Sequence, residues 1–75
     1  MKSQKRNRFE KVAEKRVNKV LEALRLLGNC SNKNNYEFTR VDVELIFEEI
    51  RKALREAQSK FDSEINRNEQ KKFKF

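Results

Sequence analysis

The first part of the chain repeats apolar residues at helical spacing. They recur at steps of three and four residues, which places them along one face of a helix near residues 8–27. Val12, Leu21 and Ala23 broaden this face to nearly half the circumference. A single antiparallel helix covers less than half of the circumference, so the pattern predicts that this helix contacts a second neighbour. Stripe 1 consists of these three residues together with Phe9, Ala13, Val17, Val20, Leu24 and Leu27.

The later part of the chain carries a narrower apolar pattern. It spans about 120° of a helix and predicts one near residues 40–66. Stripe 2 consists of Val43, Ile46, Phe47, Ile50, Ala53, Leu54, Ala57, Phe61 and Ile65.

Residues 28–39 lie between the two patterns and are predicted to form a corner. Gly28 follows the first pattern directly, where a left-handed residue often closes a helix. Thr39 has the position and the side chain of an N-cap for the second helix. Asp42 occupies the N3 position of the corresponding capping box. Phe38 and Val43 are placed to form a hydrophobic staple. The corner therefore predicts that one helix ends and another begins.

The size of the chain bears on how this fold is stabilised. Chains below about 70–80 residues usually need disulfides, a metal or a partner surface. The 75 residues include one cysteine and no histidine, which excludes an internal disulfide and leaves no plausible zinc site. No other metal and no cofactor is expected. We therefore expect an all-α fold, an antiparallel helical hairpin over residues 8–66. Dimerisation or an obligate hetero-partner would complete it to a four-helix bundle.

Charge is concentrated at the start of the sequence. Residues 1–20 hold eight basic and two acidic residues, so they carry +6 of the net charge of +7. Residues 1–7 are expected to be a basic flexible arm. Beyond the arm, four cations align on the helix face opposite stripe 1. They form either a solvated face or a surface that binds the phosphates of a nucleic acid. This basic ridge consists of Arg8, Lys11, Lys15 and Lys19.

The corner and the last residues allow more than one interpretation. The amide-rich corner favours Asx turns, or it contacts nucleic acid. Cys30 is expected to be a small buried or half-buried residue without an activated thiol. Residues 67–75 form a basic–aromatic tail that stacks on bases, docks on a partner or has no role. The tail interleaves Lys71, Lys72 and Lys74 with Phe73 and Phe75.

Catalysis and membrane insertion are not expected. Glu44, Glu48 and Glu49 form a carboxylate cluster, but with no histidine and no second cluster they suit a solvated face. The first residues lack the apolar region of a secretion signal, which favours a cytoplasmic protein. No apolar run approaches the roughly 20 residues that a membrane span needs.

A resemblance adds context. The chain resembles small helical proteins of Firmicutes plasmids and integrative mobile elements at residues 16–19, 26–32 and 35–39, and at Asp42, Val43, Ile46 and Phe47. The similarity spans most of residues 8–61. It implies a bacterial cytosolic setting near DNA mobilisation, replication or phage–host conflict, and it implies no particular activity.

Two hypotheses follow for function. The first is a non-catalytic nucleic-acid-binding accessory protein that contacts the phosphates of DNA or RNA through the arm and the ridge. The second is a protein–protein adaptor or inhibitor that docks on a larger protein or a ribonucleoprotein complex. The candidate nucleic-acid-binding residues are Lys2, Lys5, Arg6, Arg8, Lys11, Lys15, Lys19, Lys71, Lys72 and Lys74.

Overall fold

The computed structural model describes residues 3–69, and the side chains of that range as far as Arg67. It contains a helix α1 (Gln4–Gly28), a short 3-10 turn (Asn29–Ser31) and a helix α2 (Arg40–Glu69). No strand occurs within the described range. The predicted all-α class with two long helices is therefore confirmed. The helices belong to two separate units of the chain, so each is described by itself. Antiparallel packing and a completed bundle stay predictions.

Helix α1 begins earlier than its apolar pattern. Ser3 is the N-cap: its side chain accepts a hydrogen bond from the Arg6 backbone N–H at 3.1 Å. The Ser3 carbonyl also accepts from the Asn7 N–H at 3.0 Å. The prediction of a flexible arm over residues 1–7 is therefore wrong for residues 4–7, which are helical. The cause is the serine, because its hydroxyl satisfies a backbone donor that the first turn leaves unpaired.

Gly28 does not have the predicted left-handed conformation. Its φ of −58° and ψ of −31° are right-handed helical values. Instead, the Asn29 N–H donates to the carbonyls of Leu26 and Leu27, and the chain tightens into the 3-10 turn. A Cβ at Gly28 would meet no atom within 4 Å. The position therefore does not require glycine.

The predicted capping box of α2 is confirmed. The Thr39 N–H donates to Asp42 Oδ2 at 2.8 Å, and the Asp42 N–H donates to Thr39 Oγ1 at 3.2 Å. The Thr39 carbonyl accepts from the Val43 N–H at 3.2 Å. Phe38 and Val43 are both half-buried, and the staple between them stays a prediction. Helix α2 continues three residues beyond the predicted residue 66.

Both apolar stripes are accessible. No described side chain is buried. In stripe 1, for example, Val20 is 58% exposed and Leu21 57%. In stripe 2, Leu54 is 63% exposed. Within residues 3–69, no helix combines the length and apolar content needed to cross a bilayer.

Candidate nucleic-acid interface

The basic ridge lies on a single continuous helix. Arg8, Lys11, Lys15 and Lys19 are all exposed on α1. Because α1 begins at Gln4, Lys5 is also helical and lies three residues before Arg8. The spacing of three, three, four and four residues keeps these five cations on one side of the helix. At a rise of 1.5 Å per residue they extend over about 21 Å.

Within residues 3–69, no cation of the ridge forms an ion pair with a carboxylate. Among the described residues, the ion pairs at 4.0 Å or less include Arg6–Glu10, Arg25–Glu22 and Arg67–Glu64. None of them includes Lys5 or a ridge residue. Like charges three or four residues apart destabilise a helix by about 0.2–0.5 kcal/mol per pair. The ridge is therefore a line of mutually repelling cations that an external polyanion would stabilise.

Arg6 lies apart from the ridge. It is two residues before Arg8, and residues at that spacing do not share a helix face. Its Nε donates to Glu10 Oε2 at 3.1 Å, and its guanidinium carbon lies 5.5 Å from the centre of the Phe9 ring. The sequence predicts Arg6 in a flexible arm that contacts phosphate, whereas the structure places it in α1 beside a carboxylate and an aromatic ring.

A second ion pair marks the C-terminal end of the ridge. Glu22 lies three residues after Lys19, and it accepts hydrogen bonds from Arg25 Nε at 3.0 Å and Nη2 at 2.5 Å. These bonds lower the pKa of the Glu22 carboxyl and raise the pKa of Arg25. Both side chains are well exposed, so solvent weakens the interaction. Glu22 therefore forms its ion pair with Arg25, and no ion pair between Glu22 and Lys19 occurs in the described structure.

Two amide side chains flank the ridge, and the sequence analysis missed them as candidates. Asn7 lies four residues before Lys11, and Asn18 lies three residues after Lys15. Both are exposed on α1. Asparagine amides donate hydrogen bonds to phosphate oxygens in protein–DNA complexes. Their spacing relative to the lysines is the pattern that identifies them.

The charge of α2 contrasts with that of α1. Residues 4–28 contain eight basic and three acidic residues, a formal charge of +5, whereas residues 40–69 contain six basic and eight acidic residues, a formal charge of −2. An open groove on α2 is lined by three cations, Ser59 and Glu56, all from the same helix. The net charge of α2 is nevertheless negative and that of α1 is positive. A polyanion is therefore attracted to α1 rather than to α2.

The corner is organised by its own side chains. The Asn34 N–H donates to Asn32 Oδ1 at 2.9 Å, which confirms an Asx turn. The Asn32 carbonyl accepts from the N–H groups of Asn35 and Tyr36 at 3.1 and 3.0 Å. Cys30 is exposed, so the prediction of a buried or half-buried thiol is wrong. Cys30 is the middle residue of the 3-10 turn that directly follows α1.

Four candidate residues cannot be placed. Lys2, Lys71, Lys72 and Lys74 lie outside the described residues, as do Phe73 and Phe75 of the predicted tail. Within the described range, no group of three or more Cys, Asp or Glu residues is arranged to hold a metal ion. No family model, curated protein or solved structure matches this chain.

Proposed function

We propose that this chain is a non-catalytic accessory protein that binds DNA or RNA through α1. The observation that supports the proposal is the line of five exposed cations from Lys5 to Lys19, none of them paired with a carboxylate among the described residues. Such a line attracts phosphate without reading bases, so binding is weak and has little sequence preference.

Binding gains free energy from two sources. Lysine and arginine that neutralise phosphates release condensed counterions, and this release dominates non-specific binding. Phosphates between the cations also remove the repulsion along the ridge, which costs the free helix about 0.2–0.5 kcal/mol per like-charged pair. Asn7 and Asn18 would add neutral hydrogen bonds to phosphate oxygens beside the ridge.

A salt titration tests the proposal. Contacts to about five to seven phosphates give a slope of log K against log salt of about −4 to −6 on duplex DNA. Single-stranded RNA with the same contacts gives a shallower slope, because each neutralised phosphate contributes about −0.7 there instead of −0.9. Filter binding or fluorescence anisotropy between about 50 and 200 mM salt measures both slopes.

The outcome that contradicts the proposal is binding that does not depend on salt, or no binding at the lowest salt.

Two duplexes of equal length and different base composition test for sequence preference. Equal affinities are expected, since phosphate contacts carry no sequence information.

One observation favours a second candidate function. Stripe 1 is exposed on α1 and includes Val17 at 53%, Val20 at 58% and Leu21 at 57%. Apolar residues grouped on one face often mark protein–protein contacts. An adaptor or inhibitor that docks this face on a larger protein or ribonucleoprotein would bind with little salt dependence. The slope therefore separates the two functions.

The biological setting belongs to the same proposal. The resemblance to proteins of Firmicutes plasmids and integrative elements supports a cytoplasmic role near DNA mobilisation or replication. The exposure of both stripes supports a partner, either a second copy of the chain or another protein. No membrane and no cofactor is part of this proposal.

A further inference from the structure

Arg16 is an exposed cation of α1 that the basic ridge does not include. At about 100° per residue, it lies about 60° from Lys19 and about 140° from Lys11 around the helix axis. Lys5 lies about 20° from Arg16 around the axis and about 16 Å before it along the axis. Within residues 3–69, Arg16 forms no ion pair with a carboxylate. Lys5 and Arg16 together are called flank B, a pair of cations at one edge of the polar side of α1.

The other edge of this polar side carries groups that also bind phosphate. Asn7, Lys11 and Asn18 fall within about 40° of one another around the axis, and this set is called flank A. The centres of flank A and flank B are about 150° apart, and the other ridge residues lie between them. Cations and amides therefore cover about half of the helix circumference.

Over residues 5–19, no carboxylate lies in the sector between the two flanks. Nine of these residues fall in the sector, of which six are cations, two are asparagines and one is Val12. Glu10 and Glu14, the two carboxylates of residues 5–19, both lie outside it. A polyanion that contacts this sector therefore meets no negative charge from the same part of the helix.

The width of the sector bears on the form of the nucleic acid. An α-helix with its side chains is about 10–12 Å in diameter, so flanks about 150° apart are separated by about 10 Å at its surface. A single row of phosphates along the helix contacts the ridge and one flank, and it leaves the other flank without phosphate. A duplex presents one row on each strand, across grooves about 6 and about 12 Å wide in B-form DNA. The separation of the flanks lies within that range.

The residue types of the sector also favour a duplex. Proteins that bind single strands stack aromatic side chains on the bases, and none of the nine sector residues is aromatic. Phe9 lies outside the sector, with the Arg6 guanidinium carbon 5.5 Å from its ring centre. Each neutralised phosphate also contributes more to counterion release on a duplex than on a single strand.

From these observations we infer that α1 binds double-stranded nucleic acid and contacts both strands at once. Flank A contacts phosphates of one strand and flank B contacts phosphates of the other, which makes Arg16 a phosphate-binding residue. The inference rests on the proposed function and names its substrate class. A single strand engages the ridge and only one flank, so it binds more weakly.

Removal of flank B tests the contact with the second strand. The double variant Lys5→Gln and Arg16→Gln is expected to flatten the slope of log K against log salt on a DNA duplex by about 1.8, because each of two phosphates contributes about 0.9. On an oligothymidine strand the slope should stay within about 0.7 of wild type, since the strand can follow flank A instead. Fluorescence anisotropy measures both slopes. Glutamine is a good helix former, so circular dichroism should show unchanged helicity.

The matched control removes two charges from the other helix. Arg51 and Arg55 are exposed on α2. The double variant Arg51→Gln and Arg55→Gln should leave both slopes close to those of the wild type. Equal flattening by this control and by the flank B variant would show that net charge alone acts, and it would overturn the inference.

A direct comparison of the two forms of DNA completes the test. At about 100 mM salt, the wild-type protein should bind the duplex at least about tenfold more tightly than an oligothymidine strand with the same number of phosphates. Equal affinities for the two, or a wild-type duplex slope in the flank B variant, would overturn the inference and leave the proposed function in place. Failure to bind either DNA at the lowest salt would overturn the proposed function and this inference with it.

Discussion

Replacement of Lys11, Lys15 and Lys19 with glutamine is expected to flatten the salt dependence of duplex binding by about 2.7 in the slope of log K against log salt. Removal of one lysine leaves one phosphate fewer neutralised, and each neutralised phosphate contributes about 0.9 to the magnitude of the slope on B-form DNA. Helicity should stay the same or rise, because the change relieves like-charge repulsion along α1. The measurement is an anisotropy titration at several salt concentrations, with circular dichroism of the free proteins.

The matched control removes the same amount of charge from α2. Arg51, Lys52 and Arg55 are exposed, and their replacement with glutamine also lowers the net charge by three. If the ridge contacts the phosphates, this control keeps most of the wild-type slope. Equal slopes for the two triple variants would show that only net charge matters, and a ridge variant that binds like wild type would identify a solvated face.

Leu54→Asp is expected to weaken self-association at least about a hundredfold. A buried leucine side chain contributes about 1.5–3 kcal/mol, and a homodimer carries the substitution in both subunits. The substitution would also place a carboxylate without a partner in an apolar contact. Sedimentation equilibrium measures the dissociation constant.

Leu45→Asp separates the interface from a general effect on the helix. It introduces the same poor helix former into the interior of α2, so it carries a similar cost in helix propensity. Its side chain lies outside stripe 2, and the dimer should be nearly as tight as that of the wild type. Equal weakening by both variants would indicate that aspartate disturbs α2 itself and not a contact at Leu54.

The interiors of both helices were predictable because apolar periodicity carries the information. Residues 8–27 and 40–66 show that period, and Thr39 with Asp42 adds specific capping chemistry at the start of α2. The first turn of α1 carries no apolar residue, so periodicity could not detect it. Its start depends on one hydrogen bond from the Arg6 N–H to the Ser3 side chain. A serine before strong helix formers was the available evidence.

Gly28 and Cys30 show a different limit. A glycine after the last apolar residue fits a left-handed C′ position, but it fits the last residue of a right-handed helix equally well. Which of the two conformations Gly28 adopts depends on the acceptor of the Asn29 N–H. Here that N–H donates to the carbonyls of Leu26 and Leu27, and a 3-10 turn follows the helix. Cys30 lies in that turn and is exposed. Backbone geometry at a helix end is not encoded in residue type alone.

The placement of the ridge residues on one helix could be predicted from charge spacing. The four ridge residues lie on α1 as expected, and Lys5 joins them only because the helix begins at Gln4. Arg6 could not be assigned from composition, since its charge resembles that of Lys5 and only its position on the helix separates them. Its pairing with Glu10 requires residues 6 and 10 to be helical.

Amide chemical-shift mapping tests the central claim, that α1 is the nucleic-acid surface, most directly. The ¹⁵N-labelled chain is titrated at low salt with a short DNA duplex, and the shift of each backbone amide is followed. The largest changes are expected at residues 5–19, with small changes along Arg40–Glu69. Changes concentrated in α2 or in the corner at residues 32–36, with α1 unaffected, would contradict the assignment of the basic ridge as the binding surface.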